Sequence, residues 1–72
     1  LLITRVRRYS VADEAGLQRG DIILEVNRRP VRKVRDLEKI LRKLKSGDPV
    51  MLRIRRETRD GYTDYIITLR IP

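Results

Sequence analysis

Apolar and polar positions along the 72 residues fall into short runs with two different periods. Leu2, Thr4 and Val6 alternate with Ile3 and Arg5, the period-two pattern of a short strand. Ser10 stands where it can cap a helix of one or two turns, Asp13 and Glu14 fall at the positive end of that helix dipole, and Gly16 closes it. Ile22, Leu24 and Val26 then share one face of a second strand, with Ile23 and Glu25 on the other. Arg28-Arg29-Pro30 turns the chain into a brief strand around Val31.

From Val34 to Lys45 the period changes. Apolar residues at 34, 37, 40, 41 and 44 describe an amphipathic helix. Asp36 and Glu38 lie near its positive end, Arg42, Lys43 and Lys45 near its negative end, and Gly47 supplies the stop. Alternation then returns. Val50, Leu52 and Ile54 alternate with Met51, Arg53 and Arg55, Asp60-Gly61 marks a turn, and Tyr65, Ile67, Leu69 and Ile71 alternate back, which predicts a closing β-hairpin. The reading is a small α+β domain over residues 1–72, without linker, repeat or low-complexity segment.

The tightest stretch is Ala15-Gly16-Leu17-Gln18-Arg19-Gly20-Asp21, followed directly by the strand to Asn27. Gly16 and Gly20 take turn conformations closed to other residues, and Asp21, after Gly at the start of a strand, accepts backbone N–H groups of its own turn. Phosphate-binding loops need other glycine spacings, and neither pattern occurs here.

Composition removes much chemistry. With no histidine and no cysteine, Ser-His-Asp and Cys-His catalysis, Cys/His zinc sites and disulfides are all excluded. Lys45 beside Ser46 does not make a dyad, since adjacent side chains point apart, and Asp13 and Glu14 diverge on their helix. No cofactor, metal or catalytic residue is expected. The residues contain no signal peptide and no membrane span.

The net charge of +8, with 39% of residues charged, is spread through the folded pattern and not gathered in a tail. Such a surface attracts phosphate, anionic lipid or acidic peptide in a salt-dependent way. Five of the eight residues from Arg28 to Arg35 are basic, which raises a nucleic-acid or anion-binding alternative. Against it, Tyr9, Tyr62 and Tyr65 are not interleaved with the arginine runs as a base-stacking platform requires, and a solvated surface is the preferred reading. The high charge, with Asn27 and Gln18 the only side-chain amides, matches the composition of heat-adapted proteins.

Ser10-Val11-Ala12, then Ala15 to Asn27, then Pro30-Val31 resemble the core pattern of PDZ domains, especially those of HtrA/Deg-type bacterial serine proteases. The likeness spans essentially the whole chain. It implies a partly open β-barrel or sandwich of five or so strands capped by one short and one long helix, serving as a non-catalytic peptide-recognition module in a bacterial envelope protease. By the resemblance, Asp36, Ile40 and Lys43 face the peptide groove, Ile40 against an apolar side chain and Lys43 toward acidic ones. Leu37, Leu41 and Leu44 are left to the core. A PDZ module of a site-2 intramembrane metalloprotease is the alternative within the class.

Two departures from the family pattern are local. Tyr9-Ser10-Val11 replaces the usual approach to the short helix, and Arg28 replaces the glycine after Asn27, so Asn27 is expected to take the unusual turn conformation. The third is larger. In HtrA-type domains the carboxylate-binding loop and the groove's edge strand precede the strand matched by Leu1 to Val6, so the 72 residues are expected to be a fragment whose missing strand comes from elsewhere. Peptide or unfolded-protein segments are the expected partners, and the uncovered edge invites self-association.

Overall fold

The computed structural model describes residues 1–72. Its elements are α1 (Val11–Glu14), β1 (Ile22–Val26), β2 (Arg29–Pro30), α2 (Val34–Leu41), β3 (Pro49–Thr58) and β4 (Gly61–Arg70). The strands form one antiparallel, open sheet in the order β2-β1-β3-β4. No helix is long and apolar enough to cross a membrane.

The core lies on one face of this sheet. Ile23 and Val26 of β1, Val50, Leu52 and Ile54 of β3, and Ile67 of β4 are buried together with Leu17 and Val31. On the opposite face Arg53 bridges Glu25 at 2.6 Å and Asp64 at 3.1 Å, and Arg55 holds Asp64 at 2.8 Å. The Arg55 guanidinium keeps the Asp64 carboxyl below its ordinary range. These pairs are solvated and orient the strands more than they stabilise them. The alternation read from β3 and β4 is reproduced, and the strands meet in register from Pro49↔Arg70 to Thr58↔Gly61.

β1 departs from strict alternation. Its register against β3 shifts between Ile23 and Glu25, so Leu24 is the extra residue of a bulge. Ile23 and Val26 therefore face the core, whereas the sequence pattern grouped Ile22, Leu24 and Val26.

The first strand shrinks to an isolated bridge, Leu2↔Ile22, so the sheet has four strands and not five. Leu1 and Ile3 bond to β1 and its approach: Ile23 N–H donates to Leu1 O, Ile3 N–H to Asp21 O, and Gly20 N–H to Ile3 O, each at 2.8 Å. Leu1, Ile3 and Val6 pack against the core, while Leu2 is 58% exposed. Inward-facing residues thus skip from 3 to 6, which ends the regular pairing.

Helix α1 forms as expected, with Ser10 Oγ accepting from Asp13 N–H and Gly16 at φ +98°. Helix α2 ends four residues before the expected boundary at Lys45. After Leu41 the turns tighten, with Lys43 N–H donating to Ile40 O and Leu44 N–H to Leu41 O. Gly47, at φ +87°, lies in the following turn, where Asp48 Oδ2 accepts Lys45 N–H at 2.7 Å.

The β1–β2 hairpin turns on two residues, Asn27 at φ +49° and Arg28 at φ +68°. Both are left-handed, so Asn27 does not carry the turn alone. Two positive φ values match the right-handed twist of the flanking strands, and glycine is the ordinary occupant of the second position. Arg28 pays a steric cost that glycine avoids. Arg28→Gly is expected to raise the unfolding free energy by about 0.5–1 kcal/mol, a rise of several degrees in Tm by calorimetry.

Candidate functional site

Loop Ala15–Asp21 is fastened to the sheet by one ion pair. Asp21, 1% exposed, accepts Gln18 N–H at 2.8 Å on Oδ2, the in-turn bond its position predicts. Arg56 adds a bidentate grip, Nε to Oδ1 and Nη2 to Oδ2, both at 2.8 Å. The same Nη2 donates to Gly16 O at 2.9 Å, and the guanidinium lies 5.0 Å from the centre of the Tyr65 ring. The Arg56 hydrogen bond holds the Asp21 carboxyl below its ordinary value, against the opposing effect of burial. Gly20, at φ +94°, makes the backbone reversal that delivers Asp21 to this pair. Gly16, Gly20 and Asp21 are thus the framework of the loop. Arg56 was not singled out from sequence, because its partner is 35 residues away and strand alternation alone gives an arginine no address.

The loop in turn seats Leu17. Together with Ala12, Leu17 forms one wall of a cleft of about 240 Å³ lined only by apolar side chains. Ile23, Val50 and Leu52 form its floor, Leu37 and Leu41 of α2 the facing wall, and Leu69 and Ile71 its end. Leu41 is 36% exposed here and does not belong to the buried core to which the sequence assigned it. Leu37 and Leu44 are half-buried against the core. Ile23 also bonds to Leu1, so the floor of the cleft is tied to the N-terminal segment, which bridges β1 through Leu2↔Ile22 and has no further strand on its outer side.

A second, smaller cavity of about 190 Å³ lies between the β1–β2 turn and the end of α2, lined by Asn27, Arg29, Ile40, Lys43 and Leu44. It brings together two of the three sequence-derived groove residues, Ile40 and Lys43. Ile40 is half-buried and Lys43 is exposed. Asp36 lines neither cavity. Its Oδ2 accepts Arg32 N–H at 3.0 Å and Lys33 N–H at 3.3 Å, closing the first turn of α2. The Arg32 N–H bond holds the Asp36 carboxyl below its ordinary range. Asn27 and Arg29 escaped notice as lining residues, since only the folded turn brings them to the helix.

An apolar cleft and a basic cavity along the same helix suit an extended chain with alternating side chains. The family model described as PDZ domain matches residues 2–56. No curated protein matches the chain.

Proposed function

The chain belongs to the PDZ domain family, whose members are peptide-recognition modules, and from that membership we propose that it binds extended or C-terminal peptide segments by β-strand addition. The observation that carries this reading is the all-apolar cleft, whose floor residue Ile23 hydrogen-bonds to the N-terminal segment; that segment bridges β1 through Leu2↔Ile22 and has no further strand on its outer edge. The incoming strand hydrogen-bonds along that edge, and its alternate side chains enter between Leu17 and Leu41. Ile40 and Lys43 meet the ligand farther along α2, and Asp36 contributes at the helix's other end. In this reading residues 1–72 are one domain, the substrate-binding or regulatory part of an HtrA/Deg-like protease of the bacterial envelope.

The test is a titration of the isotope-labelled chain with apolar-ended peptides at two salt concentrations, followed by backbone amide shifts. Shifts are expected at Leu2 and around Leu37 and Leu41. Leu41→Glu, a change at a partly exposed position, is expected to weaken binding at least tenfold with the fold intact. Light scattering over a range of protein concentrations distinguishes peptide capture from a second copy filling the edge. Salt-steep binding to mixed-sequence RNA, unaffected by Leu41→Glu and without any peptide response, would overturn the proposal in favour of a polyanion-binding domain.

A further inference from the structure

The sheet has two ends, and peptide capture as proposed above uses one of them. The N-terminal segment and β2 lie against β1, whereas β4 closes the opposite end and pairs with β3 alone. Met51 O accepts Asn27 N–H, so the odd-numbered residues of β3 turn their backbone groups toward β1 and the even-numbered ones toward β4. The pairing Met51↔Thr68 carries this alternation across: Tyr62, Asp64, Ile66, Thr68 and Arg70 direct their N–H and C=O groups away from the sheet. Ile71 keeps the same alternation, bonding inward to Gly47 and Asp48. Open edges of this kind are ordinarily blunted by shortness, a bulge, proline or lysine. β4 is ten residues long, holds its register against β3 throughout and contains neither proline nor lysine. Three of the seven large apolar side chains exposed on the molecule, Tyr62, Tyr65 and Ile66, stand on it.

We propose that a second copy of this chain covers that edge, two β4 strands pairing antiparallel about a two-fold axis at Ile67 and joining their sheets into one. Charge selects both the partner and the register. Each copy carries +8, which holds two copies apart over most of their surface. β4 itself has one aspartate and one arginine and is neutral, so two such strands approach without that repulsion. Where two identical strands extend one sheet, directly opposite residues share a face and are exchanged by the axis. The register centred on Ile67 sets Asp64 opposite Arg70 of the second copy, and symmetry makes that pair twice. It also sets Ile66 opposite Thr68 and Tyr65 opposite Leu69. A register centred on Asp64 opposes like charges. Arg70 gives Nη1 to Gly47 O and keeps its other N–H groups, and the Asp64 side chain, held by Arg53 and Arg55, is still 35% exposed. With Glu25 that cluster is neutral, so Arg70 does not meet a cationic patch. The N-terminal segment of each copy lies at the far end of the joined sheet, and the proposal does not rest on the peptide reading.

The chain has no cysteine, so introduced thiols report the register without background. Ile66 and Thr68 are both exposed, and opposite residues of this kind stand about 5.5 Å apart at Cα, within disulfide reach. Ile66→Cys mixed with Thr68→Cys is expected to give a disulfide-linked dimer under mild oxidation, and neither variant alone. Light scattering of the unaltered chain over a concentration series is expected to show a mass rising from 8.5 kDa toward twice that value. The amides of Asp64, Ile66, Thr68 and Arg70 should gain protection from hydrogen exchange over the same series. Arg70→Asp is expected to weaken the dimer about tenfold, whereas Arg59→Asp, which lowers the net charge equally at the β3–β4 turn, should not weaken it. The thiol and exchange measurements leave Arg70 in place, so they decide the question even where Arg70→Asp disturbs the turn at Gly47. A monomer throughout the series, or a disulfide from Ile66→Cys alone, would overturn the proposal. So would a dimer indifferent to Arg70→Asp and dispersed by an apolar-ended peptide, which would place the association at the N-terminal edge.

Discussion

Arg56→Ala is expected to lower the unfolding free energy by about 3–5 kcal/mol, measured by chemical denaturation at pH 7. A chain of this size has roughly 4–11 kcal/mol in total, so the variant stands at the edge of folding. The reason is the fate of Asp21. Its carboxylate is almost wholly buried and receives two guanidinium hydrogen bonds, leaving only the Gln18 N–H when the arginine is removed. A buried charge without its partner costs far more than the pair itself contributes. Arg56 also bonds Gly16 O, so the loop that carries Leu17 to the cleft loses its second tie to β3. Arg56→Lys should recover only part of the loss, because a single ammonium cannot span both carboxylate oxygens and the carbonyl. Arg53→Ala, whose partners are solvated, should cost about 1 kcal/mol or less and serves as the comparison.

The same pair sets a pH signature. Asp21 has a folded pKa depressed below its ordinary value near 3.8, so its contribution is fully present above that value. It is lost as pH falls through the folded pKa, when a proton must displace the Arg56 interaction. In Arg56→Ala that contribution is already missing, and protonating the stranded carboxyl relieves its burial. The stability gap between the two proteins is therefore expected to be widest near neutrality and to narrow below about pH 4. A gap independent of pH would place the cost of the substitution in packing, not in charge.

Much of this was legible in the chain, and what was not has identifiable physical causes. Ser10, Gly16 and Gly20 announce their conformations because capping and left-handed turns depend on single residues. The β3–β4 hairpin was equally plain, since alternation over ten-residue strands leaves one register that buries Val50, Leu52, Ile54 and Ile67 together. The end of α2 was misjudged by several residues because Arg42, Lys43 and Leu44 are all good helix formers, and the tightening after Leu41 comes from the chain's path to Asp48. At the candidate site, Ile40 and Lys43 share a cavity as a helical face requires, whereas Asp36 shows how one residue can satisfy two readings. Its spacing places it on that face, and its carboxylate closes the helix terminus. The apolar cleft was not legible at all: Ala12, Leu41 and Ile71 come from three segments that only tertiary packing assembles.

The bulge in β1 makes two adjacent residues unequal, and mutation should show it. Ile23→Ala is expected to cost about 2–5 kcal/mol, while Leu24→Ala costs about 1 kcal/mol or less. Unbroken alternation demands the reverse, because it groups Leu24 with the buried Val26. In the fold, Ile23 is 5% exposed, pairs with Ile54 and lines the apolar cleft. Leu24 is only half-buried, and its ordered contribution is a backbone carbonyl that accepts Val31 N–H at 3.0 Å, a bond that alanine keeps. The two substitutions remove side chains of similar volume from neighbouring positions, so differences in strand propensity largely cancel. Equal costs, or a larger one at Leu24, would mean that β1 runs without the bulge and turns Leu24 inward. The cleft would then lose part of its floor, and the N-terminal segment, which bonds to β1 through Ile23, would shift with it. The pair of variants therefore tests the register on which both the cleft and the open edge at Leu2 depend.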